Sequence, residues 1–223
     1  MLMFILCHMM GKENMDLTNT MKRIPIPFWE WTRIIHLLYH DYPHRVKDFS
    51  QSFSKNQVYA KSWLVERLMM HSICNVKDKE VWILGSWYGT ILVYVLYNKI
   101  PNIKTIHLVD YDMEALKIAN DLFRDYNIKT HHYDINFDWP KIKGDIIINT
   151  SCEHMWPMKD YNFNGLCVFQ SNNFREEPAH INCVDSLEEF VKQTGISQID
   201  YKGEIDFHEY DNYHKRYMII GRK

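Results

Sequence analysis

From residue 77 onward the chain alternates short apolar runs with segments of helical periodicity. The apolar runs are about five residues long, and several contain almost no polar side chain. Strands that are buried on both faces of a parallel sheet have this composition, whereas half-exposed strands alternate apolar and polar residues. The five runs cover residues 81–85, 105–110, 129–134, 145–149 and 166–170. This part of the chain is therefore predicted to form a parallel sheet.

Helices are predicted between these strands. One covers residues 90–99, and a second covers residues 113–126 with Asp112 as its N-cap. A third covers residues 186–193, where a serine and a glutamate three positions later have the spacing of a capping box. Strand and helix thus alternate, as they do in a doubly wound α/β sheet.

The end of the chain departs from this alternation. Residues 196–207 and 215–223 predict two further strands with no strong helix between them. Two strands joined in this way are expected to pair antiparallel at the edge of the sheet. The predicted fold class is α/β: a Rossmann-like doubly wound sheet, mostly parallel, with an antiparallel C-terminal hairpin and N-terminal helices.

The N-terminal region has helical spacing of apolar residues in two segments. Residues 28–40 and 54–74 are predicted helices, and Ser54 with Gln57 forms a capping box for the second. The intervening residues 41–53 are polar and contain a proline, which predicts a loop.

The predicted domain organisation has three parts. Residues 1–22 are expected to be a flexible tail, residues 23–76 a helical cover, and residues 77–223 the Rossmann-like core. The apolar run at residues 1–10 is too short to span a bilayer and lacks the features of a signal peptide.

Composition and charge narrow the class of partner. The net charge is -2, so the chain has no global basic field of the kind that non-specific nucleic-acid binding needs. The five cysteines include no CxxC pair, which argues against a disulfide framework or a zinc knuckle. We therefore expect a cytoplasmic protein with a small-molecule substrate, no clear nucleic-acid binding, no membrane partner and no metal. The oligomeric state stays open.

The first predicted strand of the core runs into a turn that begins and ends with glycine. Doubly wound sheets bind ligands at the carboxyl ends of their strands, so this turn marks the expected site. Gly85 and Gly89 permit a tight bend, and the start of the following helix offers backbone N–H groups to a polar or anionic ligand. No GxxxxGK[ST] loop is present, which argues against a nucleotide triphosphatase.

This turn resembles the first motif of class I S-adenosylmethionine-dependent methyltransferases, whose sheet also ends in an antiparallel hairpin. Gly85 and Gly89 match the outer glycines of that motif, Trp87 replaces its middle glycine, and Ile83 stands where the family has an acidic residue. The resemblance implies S-adenosylmethionine as the cofactor. It places the cofactor against Gly85, Ser86, Trp87, Tyr88 and Gly89.

Acidic residues at the ends of the next strands extend the expected cofactor site. Asp110 ends the second strand, where Rossmann-like proteins hold ribose hydroxyls, and Tyr111 follows it. Asp110 has the alternative role of a helix cap, for which Asp112 is better placed. The resemblance assigns Asp134 to the adenine amino group, and a plain surface acid is the alternative interpretation.

Polar residues are concentrated after the fourth and fifth strands. Asn149 coincides with the residue that opens the family's fourth motif, which implies contact with both cofactor and methyl acceptor. Glu153 and His154 offer a general base, and as neighbours in a loop they are expected to point apart. Cys152 is interpreted as a small buried thiol rather than a nucleophile.

The expected acceptor site has two further parts. The fifth strand ends in candidate substrate-binding residues, and the segment that follows carries His180, a second candidate acid or base that is alternatively a plain lead-in to a helix. The substrate-binding candidates are Gln170, Asn172 and Asn173. The WYG, NTSCEH and QSNN segments also resemble a group of uncharacterised phage and bacterial methyltransferase-like proteins.

Three functions remain open at this stage. Methyl transfer to an unidentified, small polar acceptor is preferred. The alternative is another use of the same cofactor, either aminopropyl or aminocarboxypropyl transfer or a lyase reaction. A non-catalytic partner subunit, with a face formed by Trp29, Trp31 and Trp63, is the third.

Overall fold

The computed structural model describes residues 26–138, 141–209 and 212–223. Seven strands form one sheet in the order β3-β2-β1-β4-β5-β7-β6. Strands β1 to β5 are parallel, and β7 pairs antiparallel with both β5 and β6. The strands are β1 (Lys79–Leu84), β2 (Ile103–Asp110), β3 (Ile128–His132), β4 (Ile146–Asn149), β5 (Leu166–Asn172), β6 (Gln198–Glu209) and β7 (Asn212–Arg222). The predicted fold class is confirmed.

Burial explains why the apolar runs become central strands. Every residue of β4 and of β5 is buried, so both strands are covered on both faces. Leu84 pairs with Asn149, and Asn149 pairs with Phe169. The carboxyl ends of β1, β4 and β5 therefore meet at one edge of the sheet, as the sequence predicts.

The helices of the core lie close to their predicted positions. They are α4 (Thr90–Lys99), α5 (Met113–Leu122) and α6 (Leu187–Thr194). Asp112 caps α5 by accepting the N–H groups of Glu114 and Ala115 at 3.1 and 3.0 Å. Ser186 caps α6 in the same way, and Gly195 ends it in the left-handed conformation.

The N-terminal helices include one that the sequence interpretation missed. They are α1 (Phe28–His36), α2 (Val46–Gln51) and α3 (Lys55–Met69), and a π-helical turn, Leu37–Asp41, continues α1. The predicted loop over residues 41–53 is wrong, because a 3₁₀ turn at Pro43–Arg45 leads directly into α2. Phe49 and Phe53 are buried, and proline is well tolerated in the first turn of a helix.

Contacts along the chain divide it into two units. One contains the described residues up to Glu66 together with Tyr88–Pro101, and the other contains Arg67–Trp87 and Asn102–Lys223. The chain passes between them within the glycine turn. The predicted boundaries stay predictions, and the predicted tail at residues 1–22 lies outside the described residues.

The three tryptophans of the proposed partner face do not share an exposed surface. Trp31 and Trp63 are buried in the first unit, whereas 62% of Trp29 is exposed. Trp31 packs against Phe53 at a ring distance of 5.1 Å, so it belongs to the core of that unit. The expectation of a three-tryptophan face is therefore wrong. Among the described helices, none is both long and apolar enough to cross a membrane.

Candidate functional site

The turn after β1 has an alternating backbone conformation. Gly85, Trp87 and Gly89 all lie in the left-handed region, with φ of 58°, 49° and 65°. Glycine adopts this region freely, but for a residue with a Cβ it is strained. Trp87 thus takes the backbone conformation of the middle glycine that it replaces.

Asp110 fixes this turn from the end of β2. One of its carboxylate oxygens accepts the N–H of Trp87 at 2.6 Å, and the other accepts the N–H of Asp112 at 2.9 Å. Only 6% of Asp110 is exposed, and this burial raises its pKa although the backbone donors favour the ionised form. Because Asp112 caps α5, Asp110 is not the helix cap. Its predicted contact with ribose stays a prediction.

The other predicted cofactor residues differ in exposure. Tyr111 is exposed. Ser86 is buried, and its hydroxyl donates a hydrogen bond to the carbonyl of Trp87. Asp134 is exposed and accepts the N–H of Asn136 at 3.0 Å, so it shapes the turn after β3. Tyr88 is buried in the first unit and donates its hydroxyl to Asp48 at 2.5 Å.

Both polar atoms of the Asn149 side chain contact neighbouring residues of the chain. Its amide nitrogen lies 3.1 Å from the sulfur of Met155 and 3.3 Å from that of Met158, and its oxygen accepts the N–H of Ser151 at 2.8 Å. A Cβ placed at Gly85 would lie 2.4 Å from Cε of Met155. Asn149 therefore positions the turn that faces Gly85, and its predicted catalytic and cofactor roles are untested.

Glu153 is a buried carboxylate on the 3₁₀ turn Cys152–His154, which follows β4. Its Oε1 accepts the amide of Asn172 at 2.7 Å and lies 3.5 Å from Nη2 of Arg216. Arg216 also donates to the carbonyl of Thr150 at 2.9 Å. Only 2% of Glu153 is exposed, and its Oε2 has no hydrogen-bond partner among the described residues.

His154 and His180 meet in front of this carboxylate. Their ring centroids are 4.5 Å apart, and the rings are nearly perpendicular. Nδ1 of His154 donates to the carbonyl of Ala179 at 3.1 Å, and Nδ1 of His180 donates to that of Phe174. Burial lowers the pKa of His154, which favours the neutral ring. The expectation that Glu153 and His154 point apart is wrong, because the tight turn brings atoms of Glu153, His154 and His180 within 4.8 Å of one another.

The segment that carries His180 folds over the end of β4. Asn182 donates its backbone N–H to the carbonyl of Glu153 and its side-chain amide to that of Met155, both at 2.9 Å. Val184 donates to the carbonyl of Asn172 at 3.1 Å. These contacts hold the segment with His180 next to the turn that carries Glu153 and His154.

The predicted substrate residues at the end of β5 have side chains that contact other residues of the chain. Gln170 is buried with its amide 3.5 Å from the sulfur of Met218, and Asn172 holds Glu153 as described. Asn173 accepts the backbone N–H of Lys215 at 2.7 Å and so ties the end of β5 to β7. Burial raises the pKa of Cys152 well above its usual value, in keeping with a structural thiol.

Two features of the site were missed by sequence reasoning. Arg216 reaches Glu153 from β7, and its signal was a basic pair, Lys215 and Arg216, directly before an apolar run. Phe137 and Trp156 are exposed and pack edge to face, with centroids 5.6 Å apart. They lie in the turns that follow β3 and β4, so apolar surface flanks the polar edge.

Comparisons with known proteins bear on the fold. No protein-family model matches the chain, and no curated relative matches its sequence. Among solved structures, TehB from Haemophilus influenzae has a TM-score of 0.55 at 16% identity, covering 72% of this chain and 61% of that one. N-methyltransferase NodS from Bradyrhizobium japonicum has a TM-score of 0.52 at 13% identity, covering 74% and 97%. The CurJ carbon methyltransferase has a TM-score of 0.56 at 13% identity, covering 92% and 70%.

These likenesses show the fold of the chain, which is that of class I methyltransferases. The chain spans about three fifths of the length of TehB. At these identities no substrate or activity carries over from the neighbours.

The residues at the sheet edge fit an adenosyl cofactor. The left-handed turn brings backbone to the carboxyl end of β1, since at Gly85 a side chain would be strained by the φ of 58° and its Cβ would meet Cε of Met155. The carboxylate of Asp110 accepts backbone N–H groups of Trp87 and Asp112, with a further backbone contribution from Tyr111, and its roughly four lone-pair sites leave capacity for another donor, such as a ribose hydroxyl. At the neighbouring strand ends, Oε2 of Glu153 and Oγ of Ser171 are buried polar atoms without a described partner.

Proposed function

We propose that this protein is an S-adenosylmethionine-dependent methyltransferase that acts on a small polar acceptor. The observation that carries the proposal is the left-handed turn at Gly85, Trp87 and Gly89, held by Asp110 at the carboxyl edge of a methyltransferase-type sheet. Ligands of doubly wound sheets bind at this edge. The net charge of -2 favours a small acceptor over a nucleic acid.

On the cofactor side, each residue has a distinct task. The backbone of residues 85–89 would line the cofactor, and Asp110 would accept ribose hydroxyls through its remaining lone pairs. Exposed Tyr111 and Asp134 stand at the ends of β2 and β3, where the ribose and adenine would lie. Asn149 acts through Met155 and Ser151 as a positioning residue.

On the acceptor side, the chain must align a nucleophile and remove its proton. The bound cofactor supplies a methyl group that is already activated on a sulfonium, so in-line alignment is the main requirement. Nδ1 of both His154 and His180 donates to a carbonyl, so Nε2 of each neutral ring has a lone pair. That lone pair can take the proton of the molecule to be methylated. Glu153, at the same point, would favour the imidazolium that forms.

Ligand-induced stabilisation tests the cofactor site. A saturating concentration of S-adenosylmethionine or S-adenosylhomocysteine, at 100 times Kd, is expected to stabilise the native protein by about 2.7 kcal/mol, which raises Tm by roughly 5–10 °C. Asp110→Ala and the isosteric Asp110→Asn should each remove most of that shift.

The matched control is Asp112→Ala, two residues away. It removes the cap of α5 and should cost about 1 kcal/mol of stability, yet it should keep the full ligand-induced shift. An unshifted Tm in the unmodified protein, or a full shift in both Asp110 variants, contradicts the assignment.

The sulfur product separates methyl transfer from the other uses of the cofactor. S-adenosylhomocysteine formed with a panel of small hydroxy and amino compounds supports methyl transfer. Methylthioadenosine would instead indicate aminopropyl or aminocarboxypropyl transfer or lyase chemistry. The replacement of the middle glycine by Trp87 is the feature that favours this second function, because it alters the wall against which the cofactor would lie.

A further inference from the structure

We propose that Glu153, His154 and His180 bind a divalent first-row transition-metal ion. Each offers one ligand atom, and the three atoms lie within 4.8 Å of one another. Two imidazoles and one carboxylate form a recognised facial ligand set for such ions. Binding of the ion does not depend on the proposed methyl transfer.

The hydrogen bonds of the two histidines prepare them for coordination. Nδ1 of His154 and Nδ1 of His180 both face backbone carbonyls, which only accept hydrogen bonds. Each ring must therefore carry its proton on Nδ1 and, when neutral, its lone pair on Nε2. Metal-binding histidines typically have this arrangement, in which a carbonyl fixes the tautomer and the ring orientation.

The buried carboxylate of Glu153 is a second and independent indication of a metal site. Asn172 and Arg216 hold its Oε1, but Oε2 is buried and has no partner among the described residues. A buried carboxylate oxygen is destabilising unless it accepts a hydrogen bond or contacts a cation. Among the described residues, no hydrogen bond joins the three side chains to one another, so none of them occupies the ligand atom of another, and these atoms lie within 4.8 Å of one another.

The segments that carry the ligands are fixed relative to one another. Glu153 and His154 lie on one 3₁₀ turn, and His180 lies on the segment that Asn182 attaches to that turn. Ligand atoms about 2.1 Å from one ion stand about 3–3.5 Å apart, so from a spacing of up to 4.8 Å the cluster has to close by about 1.8 Å at most. Side-chain rotation covers that distance.

The donor set selects the kind of ion. Calcium and magnesium take oxygen ligands, whereas imidazole suits zinc, iron, cobalt and nickel. Arg216, 3.5 Å from Oε1 of Glu153, offsets part of the carboxylate charge and so further disfavours ions that bind mainly by charge. Three protein ligands leave coordination positions for a substrate oxygen or nitrogen. A bound ion would occupy the Nε2 lone pairs and would lower the pKa of a coordinated hydroxyl group itself.

Metal titration of the full, tag-free chain tests this inference. After treatment with EDTA and its removal, Co²⁺ should bind with one ion per chain and give visible absorption bands, and Zn²⁺ should displace it. Mg²⁺ and Ca²⁺ should not compete. We expect His154→Ala and His180→Ala each to weaken Co²⁺ binding at least about 100-fold. Asn172→Ala removes the hydrogen bond that orients Oε1 of Glu153 and should weaken binding about 10-fold.

His40→Ala is the matched control, since His40 also sits beside a carboxylate, that of Asp41 at 2.6 Å, but belongs to no group of three potential metal ligands among the described residues. It should bind Co²⁺ as the unmodified chain does. No saturable Co²⁺ or Zn²⁺ binding, or unchanged binding in folded His154→Ala and His180→Ala proteins, would overturn the inference. S-adenosylhomocysteine binding without metal binding contradicts only the metal site, and the reverse result contradicts only the cofactor proposal.

Discussion

At the scale of single residues, the strained backbone of Trp87 gives the sharpest prediction. A non-glycine residue in the left-handed region costs about 1 kcal/mol. Trp87→Gly and Trp87→Ala both remove the indole, so their difference isolates the backbone term. We expect the glycine variant to be more stable than the alanine variant by about 1 kcal/mol, measured as the free energy of unfolding in urea.

Ser86 provides the control for this comparison, because it is not among the described residues with positive φ. At an ordinary backbone conformation the order reverses, since glycine gains more entropy on unfolding. Ser86→Ala should therefore be at least as stable as Ser86→Gly. Equal stabilities for the two Trp87 variants would mean that the turn relaxes out of the left-handed region.

Individual residues were predictable from the sequence where their role is local. Asp112 caps α5 because a cap needs only the next three residues, and Cys152 is buried because a small thiol follows an apolar strand. Asn149 was expected at the site, but its contacts with Met155 and Met158 depend on how the following turn folds. Sequence spacing carries no information about that turn.

At the scale of elements, strands were easier to predict than N-terminal helices. Strands β4 and β5 are buried on both faces, so their continuous apolar runs stand out from the sequence. Helix α2 was missed because it is only six residues long and polar except for the positions that it buries, such as Phe49. The polar composition of this segment indicated a loop. The four-residue spacing of Phe49 and Phe53 is that of one helix face and was the better indication of structure.

An aromatic and histidine cluster lies across β1, β2 and β3. Trp82 stacks on His107 at 4.2 Å, and Nδ1 of His107 lies 2.9 Å from Nε2 of His131. Burial, and then the neighbouring His107 and Lys129, lower the pKa of His131 from 6.5. The folded state therefore binds this proton less readily than the unfolded state does.

The sign of the pH dependence follows from that difference. The contribution of neutral His131 is fully present above the unfolded pKa of about 6.5, and it is lost as the pH falls below that value. We expect His131→Gln to lose less stability than the unmodified protein between about pH 7.5 and about pH 5.5, measured by urea unfolding.

His132→Gln is the control on the same strand, because His132 is exposed and bonds the carbonyl of Tyr111. It should keep the acid sensitivity of the unmodified protein. An equal loss of stability in His131→Gln and His132→Gln would assign the acid sensitivity to other groups.

At the scale of the whole molecule, the sheet order decides which distant residues meet. Strand β7 lies beside β5, and β5 lies beside β4, so Arg216 comes within reach of residues 150 and 153 although it lies more than sixty positions away. A sequence predicts that polar residues gather at one edge, because parallel strands end together. It does not predict which of them pair, since pairing depends on register and on the loop around His180.

The Glu153–Arg216 pair tests this long-range connection in the metal-free protein. Arg216→Met leaves a buried carboxylate without its cation and should cost about 3 kcal/mol, whereas Glu153→Gln should cost less. In the double variant neither charge remains, so the combined loss should fall short of the sum by at least about 1 kcal/mol.

The exposed pair of Lys215 on β7 and Glu204 on β6 is the control for this comparison. Its two charges should show a coupling energy below about 0.5 kcal/mol, because water screens them. Urea unfolding in EDTA measures both cycles and keeps any ion out of the comparison. Additive losses for Glu153 and Arg216 would mean that the two charges act independently. Strong coupling would show instead that β7, a strand of the C-terminal hairpin, stabilises the buried charge of Glu153, which we propose to act at the acceptor side of the site.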